Sequence, residues 1–185
     1  MNRRSFLKGL LFVSSIFTLK LKASRKNNVS FNYGVASGDP TNTNIILWTK
    51  VSPTFNKNVT IKWQLSADKN FKNIINSGHV LAKYSNDFTV KVDVNVPNPF
   101  RGNKVFYRFL FNDTFSDTGI TNTLPQNDPD KYNIAFCSCS NHPAGYFNAY
   151  REMAKNEDID LVLHLGDYIY EYDKDGYATE DSKRF

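Results

Sequence analysis

Cysteine is almost absent from this chain: its 185 residues include two, Cys137 and Cys139, with one residue between them. That excludes a disulfide-stapled fold. A Cys-x-Cys bridge would close a small strained ring, because a strand holds alternate Cα atoms near the limit of disulfide geometry. Acid is missing too, but only locally. The segment before Ser24 carries Arg3, Arg4, Lys8, Lys20 and Lys22 and neither Asp nor Glu. Against totals of 23 basic and 18 acidic residues, those five account for the whole net charge of +5. The remainder is balanced, so the basicity does not describe a nucleic-acid-binding face. The apolar-rich stretch from Leu10 to Leu19 is too short to span a bilayer. No serine in a nucleophile's setting is apparent, and there is no long polar tract. With 15% aromatic residues the chain reads as globular, with room for one large or two small domains.

What is present begins with an address. Asn2-Arg3-Arg4-Ser5-Phe6-Leu7-Lys8 precedes the apolar stretch, and Leu21-Lys22-Ala23 offers small or apolar positions for cleavage before Ser24. A basic start, a moderate apolar core and a small residue at the cut describe a signal peptide over residues 1–23. The paired arginines followed by Phe and Leu resemble a twin-arginine signal, whose export machinery (Tat) moves proteins already folded. The expectation is a periplasmic or secreted protein with no transmembrane segment after signal cleavage.

Residues 31–124 read as a β module. Asn44 to Thr49, Val59 to Leu65, Thr89 to Val96 and Val105 to Phe111 are rich in strand formers, and several alternate apolar with polar positions. Clusters of Asn, Pro, Gly and Asp separate them. The pattern predicts an antiparallel β-sandwich of immunoglobulin or fibronectin type, without a disulfide to pin it. His79 stands alone in a loop-like stretch and reads as an incidental surface residue. Pro125 to Asp130 is a polar linker and the natural domain boundary. Beyond it, in residues 131–185, the period changes. Tyr132 to Cys139 and Leu161 to Leu165 read as buried apolar strands. Between them Tyr146, Phe147, Tyr150, Met153 and Ala154 fall on one helical face. The unit is βαβ, so parallel strands with a right-handed crossover are expected.

Parallel strands open their carboxyl ends on one edge, where Cys139, Asp167 and Tyr170 can converge. Gly166 permits close backbone approach there, and a helical turn after Asp167 would return Tyr170 to the same side. His164 points the other way and reads as a buried structural histidine; Cys137 reads as a buried thiol. Thiolate, carboxylate and phenolate suit ferric iron, and zinc less well, whereas magnesium prefers harder donors. A second, harder ion bridged by Asp167 would complete a clamp able to activate water on phosphorus. These residues alone leave two readings open, a metallohydrolase and a non-catalytic α/β domain. A soft-metal carrier using Cys137 and Cys139 is a third, with nothing else in the chain to support it.

The twin-arginine leader, Val35-Ala36-Ser37-Gly38-Asp39-Pro40 with Leu47-Trp48-Thr49, Phe136-Cys137-Ser138-Cys139-Ser140, Gly145-Tyr146-Phe147-Asn148-Ala149-Tyr150 and Leu163-His164-Leu165-Gly166-Asp167-Tyr168-Ile169-Tyr170-Glu171 occur in this order. Together they resemble the PhoD-like alkaline phosphatase and phosphodiesterase family across essentially the whole chain. The resemblance implies a β-sandwich N-terminal domain followed by the start of an α/β calcineurin-like metallophosphoesterase domain. It implies hydrolysis of phosphate mono- or diesters outside the cytoplasm, with one Fe3+ and two Ca2+ ions. Cys139 would match the family's iron-binding cysteine, Asp167 the aspartate bridging iron and calcium, and Tyr170 the iron-binding tyrosine; Cys137 is not carried over. Family members are several times longer, and their remaining ligands and phosphate-contacting arginine lie beyond the point matching Phe185. This polypeptide alone is therefore expected to be inactive and poorly folded after Asp130. The alternative in another functional class is a non-enzymatic β-sandwich module for adhesion or carbohydrate contact, with a vestigial catalytic tail.

Overall fold

The computed structural model describes residues 28–141, 146–170, 172 and 176; the expected export signal lies outside the described residues. The chain separates into two compact units, one ending at Gln126 and the other starting at Asn127.

The first unit is built almost wholly of antiparallel strands. They are β1 (Val29–Ser30), β2 (Val35–Gly38), β3 (Asn44–Lys50), β4 (Ser52–Pro53), β5 (Val59–Ser66), β6 (Ile74–Ala82), β7 (Thr89–Asn95), β8 (Val105–Phe111), β9 (Thr114–Phe115) and β10 (Gly119–Thr121). One sheet runs β2-β3-β7 and another β10-β8-β5-β6, with β9 on β8 and β1 paired to β4. Period-two patterning explains the burial. Along β3, Ile45, Leu47 and Thr49 are buried while Asn44, Ile46, Trp48 and Lys50 are not. β5 buries Val59, Ile61, Trp63 and Leu65, and β8 buries Val105, Tyr107 and Phe109. All of these apolar side chains join Val90 and Val94 of β7 in one cluster. Each large apolar side chain buried this way contributes about 1.5–3 kcal/mol before chain entropy is charged against it.

Polar atoms inside the cluster have partners, which keeps their burial affordable. The Thr49 hydroxyl donates to the Gly34 carbonyl at 2.8 Å. Tyr107, whose phenol is pushed above its ordinary pKa by burial, is hydrogen-bonded to the Ser37 side chain. Gly119 lies opposite Tyr107 in the ladder, and a Cβ there would sit 2.1 Å from the ring. Only glycine allows that approach.

Two expectations for this unit need correction. His79 is not in a loop: it belongs to β6, exposed and opposite Lys62. The β6 sequence, with Asn76, Ser77 and Gly78 at its centre, contains weak strand formers, and pairing with β5 overrides them. The strands also start at Val29, ahead of the Phe31 boundary.

The second unit contains β11 (Ile134–Cys137), α1 (Asn148–Lys155) and β12 (Leu161–His164). The strands pair in parallel from Ile134↔Leu161 to Cys137↔His164. They are shorter than the periodicity suggested, and they are not buried. Phe136 is 68% and Leu165 65% exposed, and no described residue after Gln126 is buried. The reason is geometric: a parallel pair needs cover on both faces, and the one eight-residue helix among the described residues of this unit cannot provide it. Of the expected helical stripe, Tyr150 and Met153 are half-buried and Ala154 is exposed. Among the described residues no helix is long and apolar enough to cross a membrane.

Candidate metal centre

The carboxyl ends of β11 and β12 are tied together past their last paired residues. The Leu165 amide donates to the Cys137 carbonyl at 2.8 Å, Cys139 N–H to Gly166 O at 3.3 Å and Ser140 N–H to Asp167 O at 3.1 Å. Tyr170 N–H then donates to Ser140 O at 2.7 Å, and Asn141 bridges Tyr170 in parallel. The helical turn expected after Asp167 is therefore absent. Tyr170 reaches the site because the chain continues as an extended ladder beside Ser140 and Asn141.

Backbone conformation marks the two residues that lead the site. Cys139 has φ 56° and Asp167 φ 52°, both left-handed, with Gly166 between the strands' ends at φ 105°. For residues with a Cβ that conformation costs roughly 1–2 kcal/mol each. Asp tolerates it through local hydrogen bonding; Cys has no such compensation. The left-handed kinks turn both side chains off the period-two alternation. Cys139 Sγ lies 3.6 Å from Asp167 Oδ2, with the thiol donating. Asp167 also accepts a hydrogen bond from the Tyr170 phenol, and this bond is the main cause of a phenol pKa far above its ordinary value. Burial, the Asp167 charge and the neighbouring Cys139 and Tyr172 act in the same direction.

Cys139, Asp167 and Tyr170 are thus brought together. Among the described residues no three His, Cys, Asp or Glu side chains cluster as a metal site, so the third donor here is the phenol. The set fits a cation. Three groups able to lose protons face one another, and each proton now spent on a mutual hydrogen bond is one a Lewis acid would displace. The Asn141 Oδ1 atom beside Tyr170 is buried without a hydrogen-bond partner among the described residues, and a carbonyl oxygen is a donor that calcium accepts.

His164 and Cys137 correct the sequence reading. Both are half-buried rather than buried. Among the described residues Cys137 makes a long 3.9 Å contact with the Leu163 carbonyl. The His164 ring accepts the Gly166 amide at Nδ1, 3.3 Å away, and turns Nε2 toward α1. That nitrogen lies 2.9 Å from the Tyr150 hydroxyl, which in turn meets Ser140 Oγ. A chain Gly166–His164–Tyr150–Ser140 therefore links α1 to both ligand-bearing segments. Tyr150 had been legible only as an apolar helix position; nothing local in the sequence announces its hydroxyl's role.

A sheet-rich unit followed by a parallel strand pair, with thiol, carboxylate and phenol at its carboxyl edge, is an arrangement with known relatives. The family model for the PhoD-like phosphatase N-terminal domain matches residues 18–125, and that for PhoD-like phosphatase matches residues 134–185. The chain belongs to the PhoD-like phosphatase family. It is 37% identical to alkaline phosphatase D of Bacillus subtilis (strain 168) over 184 residues, covering 93% of this chain and 31% of that protein. The solved structure of PhoD superposes with a TM-score of 0.66 at 37% identity, over 77% of this chain and 29% of that one. The chain thus spans about a third of the relative's length.

Proposed function

We propose that this protein acts in the hydrolysis of phosphate mono- or diesters outside the cytoplasm, with Cys139, Asp167 and Tyr170 holding a metal centre of Fe3+ and Ca2+. The single observation carrying the reading is the convergence of those three side chains, two of them on left-handed backbone, at one sheet edge. In this reading Cys139 and Tyr170 would hold iron, and Asp167 would serve both iron and calcium. Bound there, the ions would supply a water nucleophile at neutral pH and neutralise charge on phosphorus. The chain's own part is to hold the donors. The His164–Tyr150–Ser140 chain fixes the turn that presents Cys139, and the backbone ladder fixes Tyr170 against Asp167. Residues 1–23 would direct export through the Tat machinery, and phosphate esters would be the substrates.

The finer fold assignment belongs to the same proposal. The strand orders β2-β3-β7 and β10-β8-β5-β6, with Trp63 buried on β5, support an immunoglobulin- or fibronectin-like sandwich. The β11–α1–β12 unit supports the start of a calcineurin-like domain.

Metal binding tests the site and hydrolysis tests the activity. Reconstitution with ferric and calcium ions should give one bound iron per chain and a visible phenolate-to-iron absorption band. Tyr170→Phe should abolish the band, and Asp167→Asn should release the metals. Colourless protein, or iron bound equally by the variants, would reject these ligands. Release of p-nitrophenol from its phosphate ester by the intact gene product should fall more than about 100-fold in Asp167→Asn. No release from either a monoester or a diester would reject the hydrolase reading.

A further inference from the structure

A second feature with the character of a binding site lies on the first unit, among residues with no part in the metal centre. A groove of about 730 Å³ is lined by Trp48, Leu81, Lys83, Ser85, Asn86 and Lys91, among others, and by no carboxylate. Its size falls in the range of small-ligand sites. Trp48 and Lys91 stand opposite each other across the β3–β7 pair, and neither Lys83 nor Lys91 is in an ion pair among the described residues.

The groove is built on a strained support. Its wall includes the 3-10 turn Tyr84–Asn86, after which Asp87 and Phe88 are both left-handed at φ 49° and 53°. Two successive non-glycine residues in that region are costly, and such strain collects at ligand clamps. The turn is locked in several ways. Asn86 Nδ2 donates to Thr89 Oγ1 at 3.0 Å, and the Thr89 hydroxyl donates back to Asn86 O at 2.8 Å. Phe88 N–H donates to Lys83 O at 2.9 Å. Asp87, the acid of the turn, is engaged by Lys50, whose ammonium also lies 4.4 Å over the Tyr33 ring. Asp87 is therefore engaged by a lysine outside the groove lining, while Lys83 and Lys91 within it make no ion pair among the described residues.

We propose that this groove is a binding subsite for an anionic saccharide. The half-buried indole of Trp48 offers an apolar face for a sugar ring. Lys83 and Lys91 offer point charges for a phosphate or carboxylate carried on that sugar, and the Ser85 hydroxyl and the Asn86 side-chain carbonyl offer partners for its hydroxyls. A nucleic acid fits less well, since one indole and two lysines make neither a stacking platform nor a basic track. The subsite stands apart from catalysis: it needs neither metal nor hydrolysis at Cys139, Asp167 and Tyr170.

The test is binding by the full chain, followed by calorimetry and tryptophan emission. The probes are a phosphorylated mannan, polygalacturonate, neutral dextran and a single-stranded DNA oligonucleotide. Saturable, salt-sensitive binding of the mannan or polygalacturonate is expected, and which is tighter tells whether phosphate or carboxylate is the natural charge. Trp48→Ala and the pair Lys83→Gln with Lys91→Gln should each weaken it about tenfold, while Lys104→Gln outside the groove leaves it unchanged. Should Trp48→Ala fail to fold, the double lysine variant decides alone, with emission from buried Trp63 reporting that its fold is intact. The proposal is overturned by no saturable binding of either anionic polymer, by equal binding of dextran, by tighter binding of DNA, or by variants that bind as the parent does.

Discussion

The two units of this chain solve burial differently. In the first, two antiparallel sheets share a cluster that includes Leu47, Leu65 and Phe109, all fully buried. In the second, the parallel strands β11 and β12 carry side chains just as apolar, yet Ile134, Phe136, Val162 and Leu163 are exposed. Composition does not separate them; cover does. Antiparallel strands fold back through short turns and face a second sheet, so a modest number closes a core. A parallel pair spends its connection on a crossover helix and still needs layers on both faces. The second unit instead invests in its edge, where hydrogen bonds run past the strand ends and bring together the donors.

This contrast can be broken by mutation. The largest effect should follow Phe109→Ala, which removes a fully buried ring and should cost about 3–5 kcal/mol in urea unfolding followed by Trp63 emission. Phe136→Ala, equally drastic in volume, should change stability by less than about 0.5 kcal/mol, because its ring is already in water. Similar costs for the two would show that β11 is covered in solution.

A smaller effect sharpens how tightly the first unit is packed. Gly119→Ala places a methyl against the Tyr107 ring, itself only 2% exposed, and should cost about 1–3 kcal/mol by overpacking. Gly38→Ala, with nothing within 4 Å of the new Cβ, serves as the control and should be near neutral in the same melt.

The smallest effect concerns an exposed turn. Asp68 is held below the usual carboxylate range, chiefly by the Asn73 amide and further by those of Lys72 and Asn70 and by the Ser66 hydroxyl. Its folded form therefore binds a proton less tightly than the unfolded chain does. The stabilisation is fully present above about pH 4 and is lost as the pH falls through the lowered folded value. Asp68→Ala should accordingly melt lower than the parent at pH 7, and the gap should close as the pH falls below the lowered folded value. A gap that persists in acid would mean that the side chain acts through something other than its charge.

Much of the first unit was legible because alternation is a local signal: β3, β5, β7 and β8 announce themselves by apolar residues two apart. β6 did not, since Asn76, Ser77, Gly78 and His79 carry no strand preference and are held by their partners on β5. The candidate centre was legible in its donor types and in its place at the ends of β11 and β12. Its assembly was not, because Tyr170 arrives through a ladder with Ser140 and Asn141, thirty residues away, rather than by a helical turn.

The amino-acid order by itself determined which faces of the strands are apolar, the switch from β to βαβ periodicity after the Pro125–Asp130 linker, the family, and the presence of thiol, carboxylate and phenol near two strand ends. These follow from side-chain chemistry and from repeats of two or 3.6 residues, which need no knowledge of distant neighbours. Only the tertiary structure decided that Cys139 and Asp167 turn left-handed, that His164 and Tyr150 share a hydrogen bond, and that Trp48, Lys83 and Lys91 line one groove. Each depends on contacts between segments far apart in the chain, where register and backbone strain are set by the whole set of pairings and not by any residue's own preference.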